Sequence, residues 1–482
     1  MIREPKGDHR SASPSTDLDP YWALMPTNSD EVTLRSARAP LLARLGLDRP
    51  ELRAWAMYDW ANSAFMTVIV TAVFPTYFGL VAAKGMSDVE QQLRFGQVTT
   101  AALACIAVLS PILGAIADYH ASKKRFLLAF LSIGVTATAL LFFVDQGDWK
   151  LGLLLFGIAN IGVSGSFVFY DSLLPGIAAD DEMDRVSSAG YAIGYLGGGL
   201  LLVLSLAIIL KPALIGIHPG PGGSTLPTRL SFLATAIWWA VFAIPLFRKV
   251  PEPPLLRERD ESLGTGAAIR ASLARLGETF RELRLYRYAF LMLVAAALYG
   301  DGINTIIRMA PLYAASTAHV PQTALIGAIV MVQFVGIPFA FLFGAMASRV
   351  GTKRSILIGV AMYGVVSVMG YFMRTTLHFY ALAFMVGMVQ GGTQALSRSL
   401  FATLIPRHKA GEFFGIYAIF ERFGAILGPL FYTAVLRATH QARYAILSII
   451  VFFAVGALLL WMVNVSEGQR AARLADEGVV RV

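Results

Sequence analysis

The sequence predicts an all-α integral membrane protein with twelve transmembrane helices in two six-helix bundles. Three observations predict it. The 482 residues are 56% hydrophobic and only 15% charged, with mean hydropathy +0.61, an apolar fraction that soluble domains rarely reach. The apolar residues gather into twelve continuous runs of about 20 residues, the length that crosses a bilayer as a helix. The runs do not alternate as the strands of a membrane barrel do.

The runs lie near 54–80, 96–118, 126–144, 151–172, 190–210 and 230–247, then 287–314, 323–347, 355–373, 379–401, 412–436 and 444–464. Residues 1–50 precede them as a polar, cytoplasmic N-terminal segment, rich in Pro, Ser and Asp at first and expected to be disordered over 1–33. They hold no apolar core of signal-peptide type. Leu34, Leu41 and Leu45 among Arg35, Arg38, Arg44 and Arg49 suit a short helix on the membrane surface. The N-terminal bundle is then 51–247, a cytoplasmic linker 248–286, the C-terminal bundle 287–466 and a cytoplasmic tail 467–482. In the linker, Ile269, Leu273, Leu276, Phe280 and Leu283 recur at helical spacing among arginines, which predicts an amphipathic helix tethering the halves at the interface.

Placing both termini in the cytoplasm gives the inner loops 17 Lys/Arg and the outer loops 8, as the positive-inside rule requires. The net charge of +9 is thereby explained without nucleic acid. The single cysteine, Cys105, excludes an internal disulfide, and the seven histidines lack metal-ligand spacing. The glycines of 190–199 follow no strand, so they suit close helix packing rather than a phosphate cradle. No cofactor, metal or enzymatic triad is expected. A monomer in contact with membrane lipids is.

Two polar words repeat. Asp59-Trp-Ala-Asn62-Ser63 opens the first half, and Asp301-Gly-Ile-Asn304-Thr305 the second. Each sets a carboxylate, an amide and a hydroxyl at i, i+3 and i+4, toward one helix face. A charged group inside the bilayer costs about 2.5–3.5 kcal/mol on insertion scales and is usually functional. Related halves around a shared polar centre suit a secondary transporter. The other repeat is Gly114-Ala-Ile-Ala-Asp118 with Lys123-Lys124, matched by Gly344-Ala-Met-Ala-Ser348-Arg349 with Gly351, Lys353 and Arg354. It reads as a conformational latch, the basic residues meeting lipid headgroups.

The latch loop resembles the signature of the major facilitator superfamily, with Ser348 where an acid is usual. WAMYDWANSAF (55–65), FVFYDSLLPGIA (167–178), GYAIGYLGGGLLL (190–202), YGDGINTI (299–306), QGGTQALSRSLFATLIP (390–406) and EFFGIYAIFERFGAILGPL (412–430) resemble its vacuole-effluxer-like family. That resemblance implies amino-acid efflux by autophagy-related permeases and a central cavity lined by the first, fourth, seventh and tenth helices. Those helices carry Asp59, Asp171, Asp301 with Arg308, and Arg398. By depth, Asp301, Asn304, Gln390, Gln394 and Glu421 form a midplane set for substrate or proton. Asp59, Asp171 and Arg398 form an inner set, with Asp171 and Arg398 as the cytoplasmic gate. Asn62, Ser63, Asn304 and Thr305 could equally serve only as cross-braces between helices. The expected cargo is a small polar solute, best an amino acid, with protons as the coupling ion. The alternative is a lipid or amphiphile translocase on the same scaffold. A bacterial inner membrane fits best, a vacuolar or lysosomal one next.

Overall fold

The computed structural model describes residues 41–218, 224–253 and 286–480. The amphipathic linker helix, and the surface helix upstream of Leu41, lie outside them. Within them, a single turn at Leu41–Arg44 precedes twelve long helices, and no strand occurs among the described residues.

The N-terminal bundle comprises α1 (Pro50–Ala82), α2 (Asp88–His120), α3 (Lys123–Phe143), α4 (Trp149–Ile177), α5 (Met183–Leu210) and α6 (Leu226–Lys249). The C-terminal bundle comprises α7 (Arg287–Ala318), α8 (Gln322–Val350), α9 (Thr352–Tyr371), α10 (Thr376–Thr403), α11 (Ala410–Thr439) and α12 (Ala442–Met462). Ten of the twelve are apolar enough over an 18-residue window to cross a membrane. The remaining two, α10 and α11, carry Gln390, Gln394, Arg398, Glu412 and Glu421.

Local chemistry sets the ends. Pro50 starts α1, where a missing N–H costs nothing. The Ser87 hydroxyl accepts from Glu90 N at the start of α2. Glu252, beyond α6, accepts from the backbone N–H groups of Lys123 (2.6 Å) and Lys124 (3.0 Å), so it caps α3 from outside. Residues Phe65–Ala72 of α1 widen to π spacing, a form often found beside functional sites.

The two bundles repeat one packing scheme. In the first, α1 packs on α5 and α6, α4 on α2 and α3, and α3 on α6. In the second, α7 packs on α11 and α12, α10 on α8 and α9, and α9 on α12. Two seams join the halves, α2 against α11 and α5 against α8, and exchanging the bundles turns one seam into the other. The core is therefore two apolar bundle interiors, and polar contacts concentrate where bundle faces bundle.

The end of the molecule where α1 begins and α12 finishes is here the proximal end. There α2 and α11 meet backbone to backbone. A Cβ on Gly114 would collide with the Gly411 carbonyl, and one on Gly415 would lie 2.6 Å from Pro111 Cα. The expected tail is a thirteenth helix, α13 (Val465–Val480), docked on the C-terminal bundle. Asp476 accepts from Arg407 N (3.1 Å) and pairs with His408 Nδ1 (2.6 Å), which ties α13 to the turn between α10 and α11. Glu467 accepts from the Tyr288 hydroxyl (2.9 Å) and bonds Arg287 Nη2 (2.6 Å), and the Tyr288 bond, then the Arg287 contact, hold its carboxyl below the usual range.

Gly114→Ala should push the proximal ends of the bundles apart, because the obstructing atoms are backbone. Overpacking of this kind costs about 1–3 kcal/mol, enough to shift a two-state population roughly 5- to 150-fold. Spin labels on the exposed residues Asp181 and Arg349, one per bundle, should report a longer distance. An unchanged distance distribution would show that the seam tolerates the methyl group.

Candidate functional site

The proximal ends converge on one guanidinium. Arg398 of α10 donates from Nη1 to Asp171 Oδ1 of α4 at 3.0 Å and from Nη2 to Asp59 Oδ2 of α1 at 3.2 Å. Its Nε donates to Ser187 Oγ of α5 at 3.0 Å, and Nη2 also reaches the Ser187 carbonyl at 3.1 Å. All four bonds cross from one bundle to the other. The Arg398 and Asp59 side chains are 5% and 7% exposed, so water does little to screen the pairs.

The surroundings are built for this group. The guanidinium centre lies 4.7 Å from the Trp55 ring centroid, 4.6 Å from that of Tyr191 and 5.6 Å from that of Tyr170. These distances suit cation–π attraction. The Tyr170 hydroxyl donates to Asp59 Oδ2 at 2.8 Å, and the Trp55 indole donates to the Tyr170 carbonyl at 3.1 Å. Gly190 makes the room: a Cβ there would collide with Asp59 and lie 3.2 Å from Arg398 Nη2. Beside the cluster, Ser187 Oγ donates to the Ala395 carbonyl at 2.7 Å.

Further links cross the same end. Asp184 of α5 accepts from Ser399 Oγ and Thr352 Oγ1, each at 2.5 Å. Arg407 bonds Asp180 at 2.9 Å. In the latch, Asp118 Oδ2 accepts from Glu412 N at 2.8 Å at the start of α11, and Lys123 Nζ lies 2.9 Å from Asp118 Oδ1. The expectation that the basic residues meet headgroups needs correction. Lys124 Nζ donates to the Phe247 (2.9 Å) and Val250 (2.7 Å) carbonyls at the end of α6. Lys353 does the same with Trp461 (2.6 Å) and Val463 (2.8 Å) at the end of α12. Helix C-termini leave carbonyls without partners and carry partial negative charge, and these ammonium groups answer both. Arg349 and Arg354 are exposed, Gly351 has φ 93°, and Gly344 packs on Ser188 of α5.

A cavity of about 60 Å³ lies between α7, α10 and α11, with Tyr191 of α5 also in its lining. Asn304, Gln394 and Glu421 line it, with the hydrogen-bonded pair Tyr299–Ser397 (2.6 Å). α11 takes part in lining this cavity, while Asp59, Asn62, Ser63 and Asp171 lie outside it. The word Asp301-Asn304-Thr305 also splits. Asn304 faces the cavity, but Asp301 is 1% exposed and its Oδ2 accepts from Gly428 N of α11 at 2.6 Å. Residues i+3 and i+4 lie about 100° apart around a helix, so Thr305 turns with Asp301 toward Gly428 while Asn304 does not. Pro429 follows that glycine, and a proline breaks the helical hydrogen-bond ladder locally. Asp301 takes up a backbone donor beside the break. Gln390 is half-buried and Arg308 exposed, and neither lines the cavity. On α1, Ser63 packs where Gly194 leaves space, and Asn62 is 1% exposed.

Sequence reading missed Ser187, Asp184, Trp55, Tyr170 and Tyr191. Tyr170 stands beside Asp171, and Tyr191 beside the glycine that admits Asp59, so adjacency was the available signal. Asp184 follows the acidic loop Asp180-Asp181-Glu182, and its sequence neighbours give no signal that sets it apart.

Two half-molecules related by exchange of their seams, joined at one end by buried charge around a polar cavity, define a transporter of the major facilitator superfamily. The chain belongs to the family described as "Vacuole effluxer Atg22 like", whose pattern matches residues 98–473. It is similar to the MFS-type transporter YxiO of Bacillus subtilis (strain 168), at 38% identity over 408 residues, 84% of this chain and 93% of that protein. Autophagy-related protein 22 of Yarrowia lipolytica is 27% identical over 318 residues, 61% of this chain and 52% of that protein. Among solved structures, the human organic anion transporter MFSD10 superposes with TM-score 0.65 at 13% identity, over 88% of this chain and all of that one. The transporter FucP in the outward conformation gives 0.65 at 14% identity, over 87% and 99%. These two likenesses concern the fold.

Arg398→Lys should be almost as damaging as Arg398→Ala. An ammonium is a point charge and cannot hold Asp59, Asp171 and Ser187 together in the fork geometry. Breaking a buried pair costs about 3–5 kcal/mol. Melting of the purified variants and reactivity of a cysteine placed at Asp181 check it. A lysine variant that behaves as wild type would mean that only the charge matters.

Proposed function

We propose that this transporter moves a small polar solute by alternating access, with amino-acid efflux as its physiological work and a proton as coupling ion. The observation that carries this reading is the Arg398 cluster, which joins both bundles at one end beside a polar cavity. The proximal end is the cytoplasmic one, supported by the Lys/Arg bias of its loops. A cell membrane is favoured by the bacterial relative YxiO, and amino-acid cargo by the family to which the chain belongs.

In this reading Asp171 and Arg398 are the gate. With the proximal end closed, the pair is desolvated and strong. With it open, water takes over both charges. The pair therefore stabilises one state selectively, which population shift demands. Two carboxylates share one guanidinium here, so the ionised cluster carries a net negative charge in a dry site. One proton balances that charge. That proton also loosens the grip on Arg398 and favours opening. Asp301 is the weaker candidate for the proton, since its carboxylate is engaged by Gly428 N.

Reconstituted vesicles should exchange labelled neutral amino acids. If none of the twenty is moved while a lipid is, a translocase function replaces this one. The swap Asp171→Arg with Arg398→Asp should restore part of the transport that either Asp171→Ala or Arg398→Ala loses, and no recovery would remove the gate.

Uptake driven by a pH gradient should vanish in Asp171→Asn while exchange survives, and Asp301→Asn should keep both. The opposite pattern would return the proton to Asp301.

A further inference from the structure

We propose that α13 is a strap on the proximal end: it holds the turn between α10 and α11 against Asp180 of the N-terminal bundle and so restrains opening there. The inference goes beyond the transport reading and holds for any cargo or coupling ion.

The helix is fixed to the C-terminal bundle at both ends and between. Glu467 bonds Arg287 and Tyr288 at the start of α7. Gly468 brings the elements together, because a Cβ there would lie 2.5 Å from Leu404 Cδ2 and 3.2 Å from Tyr288 Cβ. Gln469 Nε2 donates to Thr403 Oγ1 at the end of α10 (3.2 Å), and Ala472 is buried. One turn further, Asp476 accepts from Arg407 N (3.1 Å) and meets His408 Nδ1 (2.6 Å). A helix advances about 1.5 Å per residue, so these contacts spread over roughly 14 Å.

Two cations of this assembly then reach the other half. Asp180 lies in the turn between α4 and α5. Its Oδ1 accepts from Arg407 Nη2 at 2.9 Å, and its Oδ2 lies 3.9 Å from Arg473 Nη1 of α13. Arg407 belongs to the turn whose backbone Asp476 holds. The helix therefore acts on Asp180 twice, directly through Arg473 and indirectly by setting where Arg407 stands. The described residues that follow α6 do otherwise. Glu252 caps α3 and Pro253 lies against Gly176 of α4, all within one bundle. That asymmetry between the halves points to a task at their junction.

The strap is mild by construction. The side chains of Arg407, Arg473 and Asp180 are 43%, 61% and 37% exposed. Exposed pairs contribute little each, and salt screens them. The Arg398 cluster is dry by comparison. Thus α13 trims an equilibrium that the buried cluster sets, and ionic strength at the proximal face reaches it.

The test uses the full-length protein in lipid nanodiscs, with Cys105→Ala and spin labels at the exposed residues Arg125 and Arg354, one per bundle at the proximal end. The distance distribution gives the ratio of open to closed molecules. Glu467→Ala with Asp476→Ala unhooks α13, and Asp180→Ala removes its far anchor. Each should raise the ratio about two- to fivefold, the usual reach of exposed ion pairs. All three together should do no more than the larger of the two, since groups acting through one contact are not additive. Arg473→Ala should give a smaller rise. Raising salt from about 0.05 M to about 1 M should open the wild type and leave Asp180→Ala unmoved.

An unchanged ratio in either the unhooked variant or Asp180→Ala would overturn the strap. So would effects that multiply in the combination, which would mean that α13 stabilises only its own bundle. An Asp180→Ala variant that still opens with salt would do the same. Asp180 and Arg473 are exposed, so their variants decide the matter even where unhooking α13 costs the fold.

Discussion

Burying one guanidinium of the C-terminal half between two carboxylates of the N-terminal half governs the remaining arrangement. Taking such charges out of water costs several kcal/mol per ion, and only good geometry with further hydrogen bonds around the pair repays it. Arg398 meets that demand with bonds to α1, α4 and α5 and with rings from Trp55, Tyr170 and Tyr191 around it. Gly190 exists in its present form to admit the pair. The neighbouring contacts, Asp184 with Ser399 and Thr352 and Asp118 with Glu412 N, are short-range bonds whose lengths require the same closure. They reinforce a position that the charge cluster selects.

The seams supply the complementary constraint. Hydrocarbon drives no hydrophobic association of helices, so the α2–α11 contact depends on backbone approach at Gly114, Gly411 and Gly415. Small residues let these surfaces slide or tilt without side-chain repacking. The bundles themselves are held by larger groups, such as Phe74 on Phe156 and Tyr363 on Phe453. Rigid halves joined by smooth seams and a few polar bonds are what rocking needs.

Much of this was legible before any coordinates. Helix number and the division into halves follow from long apolar runs, because the bilayer enforces length and composition. The depth of Asp171 and Arg398 follows from counting residues to the ends of their runs, so their proximity was a fair expectation. Azimuth was harder. Three residues at i, i+3 and i+4 span about 100° of helix surface, and only the position of α11 decides that Asp301 and Thr305 meet Gly428 while Asn304 meets the cavity. The role of α11 in the lining was hidden for the same reason. The lysines misled because an ammonium at a membrane edge suits headgroups and helix C-termini equally, and the choice rests on where α6 and α12 end.

The span of chain between the partners has a consequence for biosynthesis. Asp59 and Arg398 are 339 residues apart, so at about 5–20 residues per second the ribosome delivers the guanidinium roughly 20–70 s after the acid. Throughout that interval the N-terminal half must hold two membrane-embedded carboxylates without their cation. The Tyr170 hydroxyl, only 111 residues downstream of Asp59, arrives far sooner and gives that acid a donor within its own half. A nascent half-transporter is thus polar and incomplete on the face that its sister half will cover. That face is where a membrane chaperone or insertase would find its client.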